Sequence, residues 1–312
     1  MLKKVEKMKA VILDEYGDND MVRYTDVDMP EPKPGEVLVK IHAAGVNPVD
    51  WKIRGGLGRR MGLSLPIHLG GEIAGTVAAL GDGSQGFDVG DAVFGIIGTG
   101  GFAEYAAVDV NVLTRKPANL DFVHSAAVPL AALTAWQAMF DHAGLSKGQR
   151  LLITNGSGGV GSLAIQIAKA SGAHVTAMAS GSNEAYVRSL GADDFIDYTR
   201  QPFEQVASEM DVVFDTVGGD TFRRAFGTLK SGGVLVTAVE FPKDEDQEYG
   251  VRAARVFCKP DAGQLAQVLG MVEAGQLKPH VTTVLPLAEI RKAFELSETG
   301  RTRGKIVLRM EA

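Results

Sequence analysis

The residues 156-GSGGVG-161 place four glycines in six positions, a composition that suits backbone brought close to something bulky and charged. Before them, Leu151, Leu152, Ile153 and Thr154 form a short apolar run of buried parallel-strand type. After them, Val160, Leu163, Ala164, Ile167 and Ala168 recur at helical spacing, with Gly172 where a C-terminal cap is expected. A second strand begins at His174. G-x-G-x-x-G therefore opens the helix of a βαβ unit, the context in which it holds a dinucleotide. Gly156 permits the tight turn, Gly158 lets backbone approach a pyrophosphate, and Gly161 allows helix and strand to pack closely, with the phosphates at the positive helix N-terminus. Gly156, Ser157, Gly158, Gly159 and Val160 are the expected contacts, and a plain tight turn is the alternative. The same spacing in 55-GGLGRRMG-62 has no strand before it and no apolar helix after it, so it carries no such meaning.

About 20 residues further on, an Asp or Glu would hold the ribose 2′-hydroxyl of NAD. This chain has 177-AMASGSN-183 there, with no carboxylate before Glu184. Ser180, Gly181, Ser182 and Asn183 offer hydroxyl, amide and backbone N–H donors, which suit a 2′-phosphate, so NADPH is expected over NADH. Ser182 also reads as the cap of a helix from Asn183 to Leu190.

These residues must be carried by a larger frame. A length of 312 residues with ordinary apolar content suggests two domains, each with its own core. Up to about Leu120 the chain shows short alternating segments, 36-EVLVKIHA-43, 73-IAGTVAAL-80, 91-DAVFGII-97 and 103-AEYAAVD-109, between Gly, Pro and Asp turns, which reads as a β-barrel-like lobe. From about Asp121 the pattern becomes α/β: a helical stretch 126-AAVPLAALTAWQAMF-140, then strands at Leu151, His174, Phe195, Val212 and Val234. That is a doubly wound parallel sheet. A tail with 281-VTTVLPL-287, a helix at Leu287 to Ser297 and 304-GKIVLRM-310 is expected to return to the first lobe.

The net charge of −6 argues against a nucleic-acid or anionic-membrane surface and favours a small-molecule partner. The single cysteine, Cys258, excludes an internal disulfide framework and a multi-cysteine zinc lobe, and suits a reducing cytoplasm. The start, MLKKVEKMKAVILDEYG, has no signal-like apolar core, and no stretch reaches the ~18 apolar residues of a membrane span.

The stretches 43-AAGVNPVDWKIRGG-56, 70-GGEIAGTV-77, 87-FDVGDAVFG-95, 101-GFAEYAAV-108, 151-LLITNGSGGVGSLAIQIAK-169, 214-FDTVGG-219 and 304-GKIVL-308 resemble the medium-chain dehydrogenase/reductase superfamily, in its zinc-independent quinone oxidoreductase branch with zeta-crystallin and the alkenal and enone reductases. The resemblance implies a GroES-like domain at 1–121 and 274–312 and a Rossmann NADPH-binding domain at 122–273. Zinc-dependent members carry a ligand Cys where this chain has Asn47 and a ligand His where it has Gly71, so no metal is expected. The implied chemistry is hydride transfer from NADPH to a quinone or to the β-carbon of an enone. Asn47 and Thr134 are implied near the nicotinamide ribose, Ser180, Asn183 and Tyr198 at the 2′-phosphate, and Val217 and Lys305 on the cofactor side. Asn47 could instead start a turn, Thr134 fill a helix, Tyr198 end a strand and Lys305 be solvated. Trp51, Lys52, Phe94 and Tyr105 are candidates for the substrate pocket, although packing explains the three aromatics equally well. No proton donor is singled out. An enoyl thioester reductase, with Lys52, Arg54, Arg59 and Arg60 along a channel, and a catalytically silent cofactor-binding or crystallin-like protein are the alternatives. The run 251-VRAARVFCK-259 reads as a strand at the sheet edge, through which a homodimer is expected.

Overall fold

In the computed structural model, which describes residues 6–243 and 248–311, the chain folds as two units. One runs up to Leu130 and takes in Pro260–Glu273 and the chain from Pro279 onward; the other comprises Ala131–Lys259 and Ala274–Lys278. The expected division at 121/122 and 273/274 differs in three places: 122–130 and the helix Ala262–Glu273 go with the first unit, and Ala274–Lys278 goes with the second. Thr114 Oγ1 donates to Ala262 O at 3.3 Å and Asn119 Nδ2 to Val272 O at 2.9 Å, so the two ends of that helix are tied to strand Leu113–Arg115 and to the loop after it.

The first unit is built on antiparallel strands: β1 (Lys7–Leu13), β2 (Val22–Asp28), β3 (Glu36–Val46), β4 (Ile67–His68), β5 (Glu72–Leu80), β6 (Ala92–Ile96), β7 (Tyr105–Asp109) and β8 (Leu113–Arg115). The tail returns to it as β15 (Val281–Pro286) and β16 (Lys305–Arg309). β2, β1 and β4 form one sheet; β15, β16, β3, β5, β6 and β8 follow one another in a second, with β7 also paired to β3. Inward residues alternate with outward ones along these strands, and Val39, Ile41, Ile73, Phe102, Phe294 and Leu308 meet in a buried core. Arg54 is buried against this core and ion-paired with Glu298 at 2.5 Å, which fixes the helix Ile290–Glu298.

The second unit is a parallel sheet of β9 (Arg150–Ile153), β10 (His174–Ala179), β11 (Asp194–Asp197), β12 (Met210–Asp215), β13 (Leu229–Thr237) and β14 (Arg252–Arg255). Its spatial order is β11-β10-β9-β12-β13-β14, so the connections reverse direction between β9 and β12. In such sheets ligands bind outside the carboxyl ends of the strands at this switch point. β9 and β12 read as apolar runs because both faces of the sheet are covered, with Leu152, Val213 and Leu235 packed against Phe222 and Phe226.

Local expectations hold in kind and shift in extent. The stretch 126–140 is not one helix. Pro129, which has no N–H to donate, starts a helix Pro129–Trp136 that widens into a π turn at Gln137–His142. The expected helix from Asn183 is Glu184–Ser189, preceded by a 3-10 turn, Gly181–Asn183, and the Ser182 hydroxyl pairs with Ser180 Oγ at 3.2 Å. The edge strand, Arg252–Arg255, is shorter than 251–259, and Val256 just after it is buried. No helix among the described residues is long and apolar enough to cross a membrane.

Candidate active site

At the switch point of the second unit, Asn155 turns the chain out of β9 with a positive φ of 54°, a conformation that asparagine tolerates better than most residues. The helix Gly159–Ala170 follows, with Gly158 as its N-cap and no side-chain hydrogen bond at that cap. Its first-turn N–H groups are therefore left for an anion. The two flanking glycines do different work. A Cβ on Gly161 would lie 2.2 Å from Asn155 O, so close packing of loop and helix requires glycine there. A Cβ on Gly158 would meet only the end of the Asn155 side chain, at 2.7 Å, which can move. Packing thus demands glycine at 161 more strictly than at 158.

The loops beside it are shaped by a carboxylate that the sequence reading did not single out. Asp215, fully buried at the end of β12, accepts Thr154 Oγ1 at 3.0 Å, Thr237 Oγ1 at 2.8 Å, and the N–H groups of Val217 at 3.0 Å and Gly218 at 3.1 Å. It joins the carboxyl ends of β9, β12 and β13. Val217, held by that bond, is about half exposed at the edge. Thr134 is buried in the helix Pro129–Trp136.

At the end of β10, Asn183 Nδ2 donates to Ser180 Oγ at 3.0 Å, so Ser180, Ser182 and Asn183 form one cluster of hydroxyls and amide. Parallel pairing sets Ala179 opposite Asp197, which brings a second unforeseen carboxylate to this turn. Hydrogen bonds from Thr199, Oγ1 at 2.6 Å and N–H at 3.0 Å, and from the Gly181 N–H hold Asp197 below the usual carboxylate range, with Arg200 adding to the effect at 3.4 Å. A Cβ on Gly181 would sit 2.3 Å from Asp197 Oδ2. Gly181, Glu184, Phe195, Asp197, Arg200 and Gln201 line a pocket of about 390 Å³, and Tyr198 is exposed beside it.

In the first unit, Asn47 and Lys305 do come together, around a third buried charge. Lys305 Nζ donates to Asn47 Oδ1 and Glu72 Oε1, both at 2.5 Å; Asn47 Nδ2 donates to Glu72 Oε1 at 2.8 Å, and the Leu130 N–H to Glu72 Oε2 at 2.7 Å. The Asn47 amide also reaches Gly45 O at 3.3 Å. Counting donors, Lys305 keeps one N–H beyond these bonds. Lys305 is therefore not a solvated lysine; it is 5 % exposed. Asp50 accepts the Asn47 N–H at 2.7 Å, and burial pushes its carboxyl up to about 7, with the Glu72 charge adding and the Asn47 bond and Lys305 opposing.

The four pocket candidates are not gathered in one place. Trp51, half-buried, donates Nε1 to Ser297 Oγ at 3.2 Å, and Lys52 Nζ lies 5.5 Å from its ring centroid. Phe94 is fully buried, which removes it from any direct role. Tyr105 pairs with Lys40 on β3, seven residues before Asn47 and so roughly 20 Å along the strand. It lines a separate cavity of about 380 Å³ with Asp28, His68 and Thr99. Among the described residues no group of three or more His, Cys, Asp or Glu side chains is placed to hold a metal ion.

With this geometry in view, the relatives are informative. Residues 33–118 match the family model of the alcohol dehydrogenase GroES-like domain, and residues 190–308 that of the zinc-binding dehydrogenase. The chain is 35% identical to the mitochondrial NAD(P)H oxidoreductase RTN4IP1 of Danio rerio, over 96% of this chain and 91% of that protein. It is 34% identical to the chloroplastic NADPH-dependent alkenal/one oxidoreductase of Arabidopsis thaliana, over 97% and 80%. The structure of the quinone oxidoreductase from Coxiella burnetii superposes with a TM-score of 0.92 at 32% identity, covering 98% of this chain and all of that one. The chain belongs to the medium-chain dehydrogenase/reductase family, in the branch of the quinone and alkenal/one oxidoreductases. It is an oxidoreductase with a GroES-like domain and a Rossmann domain.

Two outcomes are expected. Gly161→Ala, whose Cβ meets backbone, should lose ~2 kcal/mol of stability in urea unfolding, whereas Gly158→Ala should lose less than ~1 kcal/mol and yet bind NADPH at least tenfold more weakly by fluorescence titration; the reverse order would refute the division of roles. The raised Asp50 pKa means that the folded chain keeps a proton the unfolded chain gives up, so the Asp50 contribution to stability falls as pH rises from about 4 through about 7. Asp50→Asn, which can still accept the Asn47 N–H, should gain ~2 kcal/mol relative to the parent between pH 5 and pH 8 in urea midpoints, and a pH-independent difference would contradict this.

Proposed function

We propose that this chain is an NADPH-dependent reductase of quinones or α,β-unsaturated carbonyls that works without zinc. The observation that carries the reading is the glycine loop that opens the helix Gly159–Ala170 at the switch point of the parallel sheet, with no side-chain cap at Gly158. When bound, the cofactor supplies a hydride; the residues of the chain bind and orient. Backbone at 156–160 takes the pyrophosphate. Ser180, Ser182, Asn183 and Tyr198 take the 2′-phosphate, with Arg200 supplying a cation; Asp197 stays ionised, its charge engaged by Thr199, the Gly181 N–H and Arg200. Asn47 and Lys305 serve the ribose side, held by Glu72, with Thr134 and Val217 completing the cofactor contacts. Trp51 and Lys52 remain the candidates at the substrate.

Two structural facts weigh on the alternatives. A zinc ion at Asn47 would face the Lys305 ammonium, hydrogen-bonded to that same side chain. Arg54, one of the four cations that a thioester channel would use, is already paired with Glu298. We also propose a homodimer formed through β14, whose outer edge pairs with no strand among the described residues, and a cytoplasmic location in keeping with the single thiol. Named relatives include mitochondrial and chloroplastic proteins, so fractionation of the source cells decides the compartment.

One assay tests the enzyme. With protein exhaustively treated with chelator, a quinone and an alkenal should be reduced at the expense of NADPH with kcat/KM at least tenfold above that with NADH, and Ser180→Asp should narrow the gap. Turnover lost with the metal, equal use of NADH, or no turnover at all would each remove one part of the proposal, the last leaving a silent binding protein. Light scattering should give about twice the 33.0 kDa chain mass at micromolar concentration; a monomer would discard the dimer alone.

A further inference from the structure

Neighbouring strands of a sheet stand about 4.8 Å apart, so the carboxyl ends of β13 and β14 lie roughly 10 and 14 Å across the edge from β9. They lie on the side away from β10. On the reading above, a dinucleotide with its adenosine ribose over β10 and its pyrophosphate over β9 would extend its reactive half toward them. At this place the second unit displays two large apolar rings, Phe241 at 59 % and Phe257 at 58 % exposure.

The rings are held rather than loose. Their centroids are 5.9 Å apart with planes at 51°, and the Arg255 guanidinium lies between them, its Cζ 3.9 Å from the Phe241 centroid and 4.5 Å from that of Phe257. Arg255 Nη1 donates to Val239 O at 2.8 Å, while its buried Nε has no partner among the described residues. The Val239 and Glu240 N–H groups both donate to Thr237 Oγ1, at 3.1 and 3.2 Å, and Glu240 Oε1 accepts the Gly219 N–H at 2.7 Å. The loop behind Phe241 is thereby tied to the Asp215 network. An arginine set against one face of each ring fixes the pair and leaves the outer faces bare. Together the two rings present adjoining exposed apolar surface, the kind of surface that binding sites use.

We propose that Phe241 and Phe257, backed by Arg255, form a stacking platform that favours flat conjugated ring acceptors, the quinones, over open-chain alkenals. The platform contributes contact area and aromatic offset stacking to a planar ring, and an open-chain acceptor can use little of either. The assignment rests on the reductase reading above, and the test separates the two. Binding of phenanthrene, a redox-inert planar ring, to the full chain is followed by its own fluorescence, and needs no turnover. In Phe241→Ala/Phe257→Ala it should weaken roughly tenfold, and the ratio of kcat/KM for 9,10-phenanthrenequinone to that for 2-hexenal should fall roughly tenfold. Phe241→Leu/Phe257→Leu keeps the apolar bulk without the rings and should lose at least threefold in both readouts. Phenanthrene binding within twofold of the parent in both variants, or a selectivity ratio that does not move, would overturn the platform. So would an unchanged ratio accompanied by a shift from dimer to monomer in size-exclusion chromatography, which would make the rings a contact between copies. A parent protein that binds phenanthrene and reduces nothing would sink the reductase reading and leave the platform as a ring-binding site.

Discussion

A carboxylate with no water around it must be met by donors from the protein or its burial costs several kcal/mol. Asp215 meets this condition with two hydroxyls and two backbone N–H groups, drawn from the ends of three neighbouring strands. Those bonds determine where the chain leaves β9, β12 and β13. The glycine loop begins two residues after Thr154, the half-exposed Val217 lies two residues after Asp215, and the loop bearing Phe241 is anchored through Thr237. The carboxyl edge of the sheet is therefore one preorganised surface, and rigid support of this kind gives precision to a site built on loops.

The first unit uses the same device with a charge balance. Glu72 accepts from Lys305, Asn47 and the Leu130 N–H, and so draws β5, β16, the end of β3 and the start of the Pro129–Trp136 helix to one point. Glycine at position 45 belongs to this arrangement, since a Cβ there would lie 2.1 Å from Glu72 Oε1. Asp50 nearby is a second buried carboxyl, largely protonated below about pH 7. One cation and two carboxyls share a dry space, which is why removal of any one should be felt by the others.

What could be read from the sequence was whatever is local. The glycine loop, its strand and its helix follow one another within 20 residues, and the change from period 2 to period 3.6 marks the passage between units. Groups that meet only through sheet pairing were not legible. Asp197 reaches the Ser180–Asn183 turn by register with Ala179, and Lys305 reaches Glu72 across 233 residues. The sequence did carry a partial signal, a lone acid closing the apolar run 212-VVFD-215 and the acid of 70-GGE-72, and acids in such surroundings call for partners. Tyr105 and Phe94 illustrate the opposite error. Both lie in stretches that carry the family resemblance and were candidates for one pocket, whereas pairing sets Tyr105 beside Lys40 and burial encloses Phe94 completely.

All of this converges on one claim: the carboxyl edge of the second unit orients a nicotinamide dinucleotide so that its hydride passes directly to carbon or oxygen of an electrophilic acceptor. The most direct measurement uses NADPH deuterated at either face of C4 with 2-hexenal as acceptor, followed by NMR of the product. The account requires that one of the two labelled cofactors deliver deuterium quantitatively to the β-carbon and the other deliver none. Deuterium released to solvent, or delivered equally from both faces, would contradict it.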